Sequence, residues 1–105
     1  MAMIDTYVAL LGAIQTHLQG YNDTRWPHVL ASWIADVPQN PVSLRAHVER
    51  TRQSLAGMGS IADVVIAPEC GHSITADERE IRRANARLLE LVAALDEETL
   101  RLTRA

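Results

Sequence analysis

The stretch Glu69-Cys70-Gly71-His72 holds the side-chain types from which thiol and metal chemistry are built. A thiolate beside an imidazole can act as a nucleophile, and cysteine, histidine and carboxylate are ordinary zinc ligands. Asp63 lies a little upstream as a further carboxylate. The spacing argues against both chemistries. A zinc site needs at least three ligands, and the local set has no Cys-x-x-Cys or His-x-x-x-His pairing. His17, His28 and His47 fall on different predicted helices, so only folding could bring them together. Cys70 stands alone and makes no internal disulfide, which leaves this loop as the approach to the last helix. The expectation is no catalytic residue, no metal and no cofactor. A small metal- or thiol-dependent enzyme using Cys70, His72, Glu69 and Asp63 is the alternative.

A second group is cationic. All 10 basic residues are arginine, and the chain has a net charge of −3. Lysine-free composition fits a GC-rich genome; it also fits bidentate recognition of carboxylate or phosphate, which the guanidinium fork performs better than an ammonium. The negative balance disfavours nucleic acid as a partner, because the global basic field of such binders is missing. Arg79, Arg83 and Arg87 recur at every fourth position. On a helix they share one face, and like charges in that pattern repel mildly. Either solvent and Glu90 offset this, or the acidic surface of a partner does.

The elements that must carry these residues are helices. Ile4, Tyr7, Val8, Leu11, Ile14 and Leu18 recur at three- and four-residue spacing, and Gly20 ends that pattern. A second helix begins near Trp26-Pro27, with Trp26, Val29, Leu30 and Trp33 as its apolar stripe. In a chain without phenylalanine the two tryptophans are the large pieces of the core, or binding anchors if exposed. Asn40 caps a third helix opened by Pro41 and reaching about Ala56, with the narrow stripe Leu44, Val48, Thr51 and Leu55. Thr75 with Glu78 reads as a capping box for a last helix starting at Ala76. Its buried stripe is Ile81, Ala84, Leu88, Leu91, Val92, Leu95 and Leu102. With 105 residues and 48% hydrophobic content, one all-α domain over 1–105 is expected: a small four-helix bundle. No membrane span and no basic leader segment is read, so the expected setting is the cytoplasm.

One segment departs from helical character: Gly57-Met58-Gly59-Ser60-Ile61-Ala62-Asp63-Val64-Val65-Ile66. Gly57 suits the left-handed position after a helix, and Gly59 a second turn. Ser60 can cap a new turn with Asp63 returning the bond, while Met58 serves as an adaptable plug. The segment reads as a rigid corner between the third and fourth helices. An anion-binding loop is the weaker reading, since no strand precedes the glycines and no lysine follows.

This motif, followed by Asn85 in the last helix and preceded by the tryptophan-bearing helix Trp26 to Ile34, resembles a family of small uncharacterised bacterial helical proteins. Their signature is Gly-Met-Gly-Ser, hydrophobic, any residue, Asp; asparagine often stands where this chain has Ala62. Such proteins resemble the immunity proteins encoded beside polymorphic toxins. The resemblance implies a non-enzymatic interaction protein that binds and neutralises a cognate toxin, and it transfers no catalytic residue. The residues expected to meet that protein partner are Met58, Asp63, Arg79, Arg83 and Arg87. A homodimer through an exposed helical stripe stays open.

Overall fold

A computed structural model describes residues 2–38, 40–55, 57 and 59–104. Four helices account for most of them: α1 (Ala2–Gly20), α2 (Trp26–Ala35), α3 (Pro41–Gln53) and α4 (Glu78–Arg104). Two short 3-10 turns, Ile61–Asp63 and Pro68–Cys70, punctuate the segment between α3 and α4. The described residues contain no strand. This is the four-helix bundle with an irregular glycine-containing connection that the periodicity predicts. No helix among the described residues is long and apolar enough to cross a membrane.

The core collects the predicted stripes. Tyr7, Leu11, Ile14 and Leu18 of α1 are fully buried, and Leu30, Val48, Leu88 and Leu95 join them from the other helices. Burying one such side chain contributes about 1.5–3 kcal/mol. Trp26 is buried and Trp33 half-buried, their rings meeting edge to face at 6.1 Å. The Arg25 guanidinium lies 4.9 Å over the Trp26 ring. α1 and α4 run antiparallel, since His17 bonds the Ala84 carbonyl while Leu10 shares a groove with Ala94 and Leu100. Arg52 of α3 reaches Asp96 and Thr99 of α4, each at 3.3 Å.

Helix starts follow side-chain chemistry, with two departures from expectation. Asn40 caps α3 as its type predicts, accepting from the Ser43 N–H at 2.9 Å. Asp23 caps α2 by accepting from the Trp26 N–H at 2.7 Å. The expected capping box at α4 does not form. The helix begins at Glu78, Asp77 accepts from the Arg79 N–H, and the Thr75 hydroxyl donates to Glu80 instead. Aspartate directly before the first turn reaches the second N–H more easily than threonine two residues earlier. α3 also stops at Gln53, short of Ala56, with Ser54 as its C-cap.

The corner after α3 uses its glycines as their chemistry suggests. Gly57 has φ +101° and Gly59 φ +77°, backbone conformations that side-chain-bearing residues adopt at a cost. Asp63 does close the turn, but it accepts from the Gly59 N–H at 3.0 Å rather than from Ser60. Ser60 makes no cap bond; its buried hydroxyl has no hydrogen-bond partner. Met58 lies outside the described residues.

Past this corner the chain is extended and is held by one side chain of α4. Asn85 accepts from the Ile66 N–H at 2.8 Å and donates to the Ile66 carbonyl at 2.9 Å. Its second amide hydrogen goes to the Ile81 carbonyl at 2.8 Å. Asn85 therefore meets Ile66 as a neighbouring strand would, supplying both halves of a backbone pair from a side chain. Ile66 is fully buried, so neither of its backbone groups has water to fall back on. Asn85→Ala is expected to lower stability by about 2–3 kcal/mol, read as a lower urea midpoint at unchanged slope, because it orphans two buried groups. Asn85→Asp is expected to fare no better, since a carboxylate cannot donate to the Ile66 carbonyl.

Candidate functional site

Three places carry polar chemistry: the linker around His72, a buried cluster around His47, and the outer face of α4. Their geometry separates structural from available groups.

His72 sits between three segments of chain. Its Nε2 meets Asp23 Oδ1 at 2.8 Å and its Nδ1 accepts from the Ala67 N–H at 3.3 Å. A nitrogen that accepts is unprotonated, so the proton resides on Nε2 and is donated to Asp23. Asp23 meanwhile spends its other oxygen on capping α2. Burial pushes the Asp23 carboxyl upward, but bonds from His72 and the Trp26 and Arg25 N–H groups outweigh it and hold the group below its usual 3.8. Next to His72, the Ser73 N–H donates to the Tyr21 carbonyl at 2.8 Å, and Asn22, in the left-handed region at φ +57°, donates to the Ser73 hydroxyl. The linker is thereby tied to the α1–α2 turn, as Asn85 ties it to α4.

These bonds bear directly on the thiol alternative. Both His72 nitrogens are engaged with Asp23 and Ala67, not with Cys70, whose side chain is exposed. Glu69 is exposed as well, and Asp63 serves the Gly59 turn. Among the described residues no three His, Cys, Asp or Glu side chains converge as metal ligands. The structure unites His72 with Asp23, a pairing the sequence pattern conceals because the two are far apart along the chain.

The second polar cluster lies inside the bundle. His47 Nε2 donates to the Trp33 carbonyl at 2.9 Å, which leaves Nδ1 to accept from the Tyr7 hydroxyl at 2.9 Å. Tyr7 in turn meets the Thr51 hydroxyl at 2.6 Å. Burial holds His47 below its ordinary 6.5; the Trp33 bond opposes this and the Arg50 charge reinforces it. Burial likewise raises Tyr7 above 10.0, with Thr51 and Arg50 pulling the other way. Above this cluster a cleft of about 340 Å³ opens between α2 and α3, lined by Trp33, Asp36, His47, Arg50, Thr51 and Gln53. Every donor of the cluster faces inward to a named acceptor, so its work is to join α1, α2 and α3. Sequence reading placed Tyr7 and Thr51 on buried stripes but not His47. Its position on α3 between Leu44 and Thr51 was the available signal.

The third place is α4. Arg79, Arg82, Arg83 and Arg87 are all exposed. Arg87 meets Glu90 at 3.2 Å in a pairing that is largely solvated; such pairs contribute little. No ion pair engages the guanidinium of Arg79 or Arg83 among the described residues. At the other end of α4, Glu98 is buried and receives two bonds from Arg101, at 2.9 and 2.5 Å. The chain matches no known protein family, no curated protein and no solved structure.

The buried ionisable groups give a two-stage response to acid. His47 has a folded value below its unfolded one, so the folded state takes up its proton less readily. Its contribution is whole above about pH 6.5 and is lost as the pH falls from there through its lower folded value. Asp23 is depressed below 3.8, so its contribution is whole above that value and is lost as the pH falls below it. Urea titrations from neutral to acid pH are expected to show both declines. His47→Gln should flatten the upper one and Asp23→Asn the lower.

Proposed function

We propose that this chain is a bacterial immunity protein that binds and neutralises a cognate toxin without catalysing a reaction itself. The observation that carries this is the outer face of α4, where Arg79, Arg83 and Arg87 stand exposed on a 27-residue helix. That helix is fixed along its length by α1, α3 and Asn85. Guanidinium groups on a rigid support lose little freedom on binding, and each can take a carboxylate through two parallel bonds. Because the chain as a whole is negative, this local cationic ridge gives direction to an approaching acidic surface. Asp63, exposed at the glycine corner, adds a fixed carboxylate for a basic group of the partner. The resemblance of the Gly57–Asp63 motif to the small bacterial family agrees with this reading.

Co-expression with the protein encoded by the neighbouring gene tests it. The neighbouring product is expected to arrest growth alone, and this chain to restore it. Arg79→Glu with Arg87→Glu should cut survival at least about a hundredfold, as expected for loss of interfacial charge pairs worth about 2–5 kcal/mol, while the melting temperature holds. Cys70→Ala should protect fully. A harmless neighbour, or full protection by the arginine variant, would overturn the proposal; dependence on Cys70 would favour thiol chemistry.

A further inference from the structure

α4 carries a second exposed pattern beside the arginine ridge. Arg82, Ala86, Leu89, Ala93 and Glu97 follow one another at three- or four-residue steps, and all five are exposed. Such spacing draws a single strip along a helix. At its centre Leu89 is 58% exposed, a large apolar side chain on a strip whose two ends are charged. The two alanines flanking it leave room for another backbone to approach closely.

The strip is also a charge palindrome. Arg82 and Arg83 precede Leu89 by the same intervals at which Asp96 and Glu97 follow Glu90. Ala86 and Ala93 stand in the same relation. A two-fold axis between Leu89 and Glu90 would therefore lay basic groups on acidic ones and alanine on alanine.

We propose that a second copy of this chain packs on this strip, with α4 antiparallel to α4. Arg82 of each copy faces Glu97 of the other and Arg83 faces Asp96, Ala86 lies opposite Ala93, and the two Leu89 side chains flank the axis. A parallel arrangement would set arginine against arginine, so charge selects the antiparallel one. Arg87 neutralises Glu90, the carboxylate nearest the axis. Asp96 is steadied from behind by Arg52 at 3.3 Å while half its side chain remains exposed. A strip complementary to itself favours a second copy over an unrelated protein. With only one large apolar residue per copy, the contact belongs to the weak, concentration-dependent class. It shares only Arg83 with the toxin-binding ridge, and variants at Leu89, Arg82 and Glu97 leave that ridge intact, so the two readings are tested apart.

Sedimentation velocity on the whole chain, from about 10 μM to about 1 mM, decides the matter, since weak interfaces populate over that range. The mass is expected to rise from 11.6 kDa towards twice that value. Leu89→Glu, Arg82→Glu and Glu97→Arg should each weaken association at least about tenfold, while Arg82→Glu combined with Glu97→Arg restores it. All four change exposed side chains, and circular dichroism melts are expected to match the parent. A chain that stays monomeric at the highest concentration overturns the proposal, whether or not another protein binds Leu89. So does a dimer indifferent to Leu89→Glu, or a double variant no better than the single ones.

Discussion

The extended stretch between α3 and α4 depends on side chains to complete its backbone bonds, the central one lent by α4. An extended segment in a helical protein has no ladder to complete its backbone bonds, and a buried one cannot turn to water. Asn85 resolves this for Ile66 by presenting a side-chain amide with the donor and acceptor geometry of a peptide group. A glutamine would carry the same groups one methylene further out, and leucine of similar size would carry none. His72 does the corresponding service for Ala67, and Asn22 and Ser73 close the far end. Once both ends are tied, the glycine corner has one way to turn, and α3 and α4 acquire a fixed relation.

The histidines do what lysine-free chemistry leaves to them. His17 donates to the Ala84 carbonyl, His47 to the Trp33 carbonyl, and His72 links Asp23 with Ala67. Each joins two elements that are separate along the chain. A neutral imidazole suits the task because it offers one donor and one acceptor on a flat ring that packs like an apolar group. The His47 cluster has an added property. In the neutral form protons point from Thr51 to Tyr7 to His47. With His47 charged, the same atoms can be bonded in the reverse order, because Thr51 also lies 3.2 Å from the His47 carbonyl. Acid therefore costs this cluster the burial of a charge rather than the loss of its hydrogen bonds.

Sequence reading succeeded where a local rule decides the outcome. The α1 stripe, the Asn40-Pro41 start of α3 and the left-handed glycines all follow from interactions within a few residues. It erred where two local solutions compete, as at α4, where Asp77 displaces Thr75 as the cap, and at the corner, where Asp63 bonds Gly59 and bypasses Ser60. Asn85–Ile66 and Asp23–His72 were beyond it for a different reason. Their partners are backbone groups or side chains brought near only by the finished fold, and no periodicity marks them. The arginines of α4 were legible as one exposed face, because helical spacing and the opposite apolar stripe together fix their direction.

The outer face of α4 is what remains after these constraints are met. α1 and α3 cover the stripe of Leu88, Leu91, Val92 and Leu95, and the linker lies along Asn85. Each contact makes the helix more rigid, and none of them uses the arginines. Natural helices commonly relieve a row of like charges by interleaving opposite ones at the next turn. Here Glu90 does so for Arg87, while Arg79 and Arg83 stay without such relief among the described residues. This cationic ridge contributes little to its own fold, and the buried polar fastenings behind it keep the spacing of its guanidinium groups constant; under the proposed function that constant spacing is what an acidic partner surface would meet.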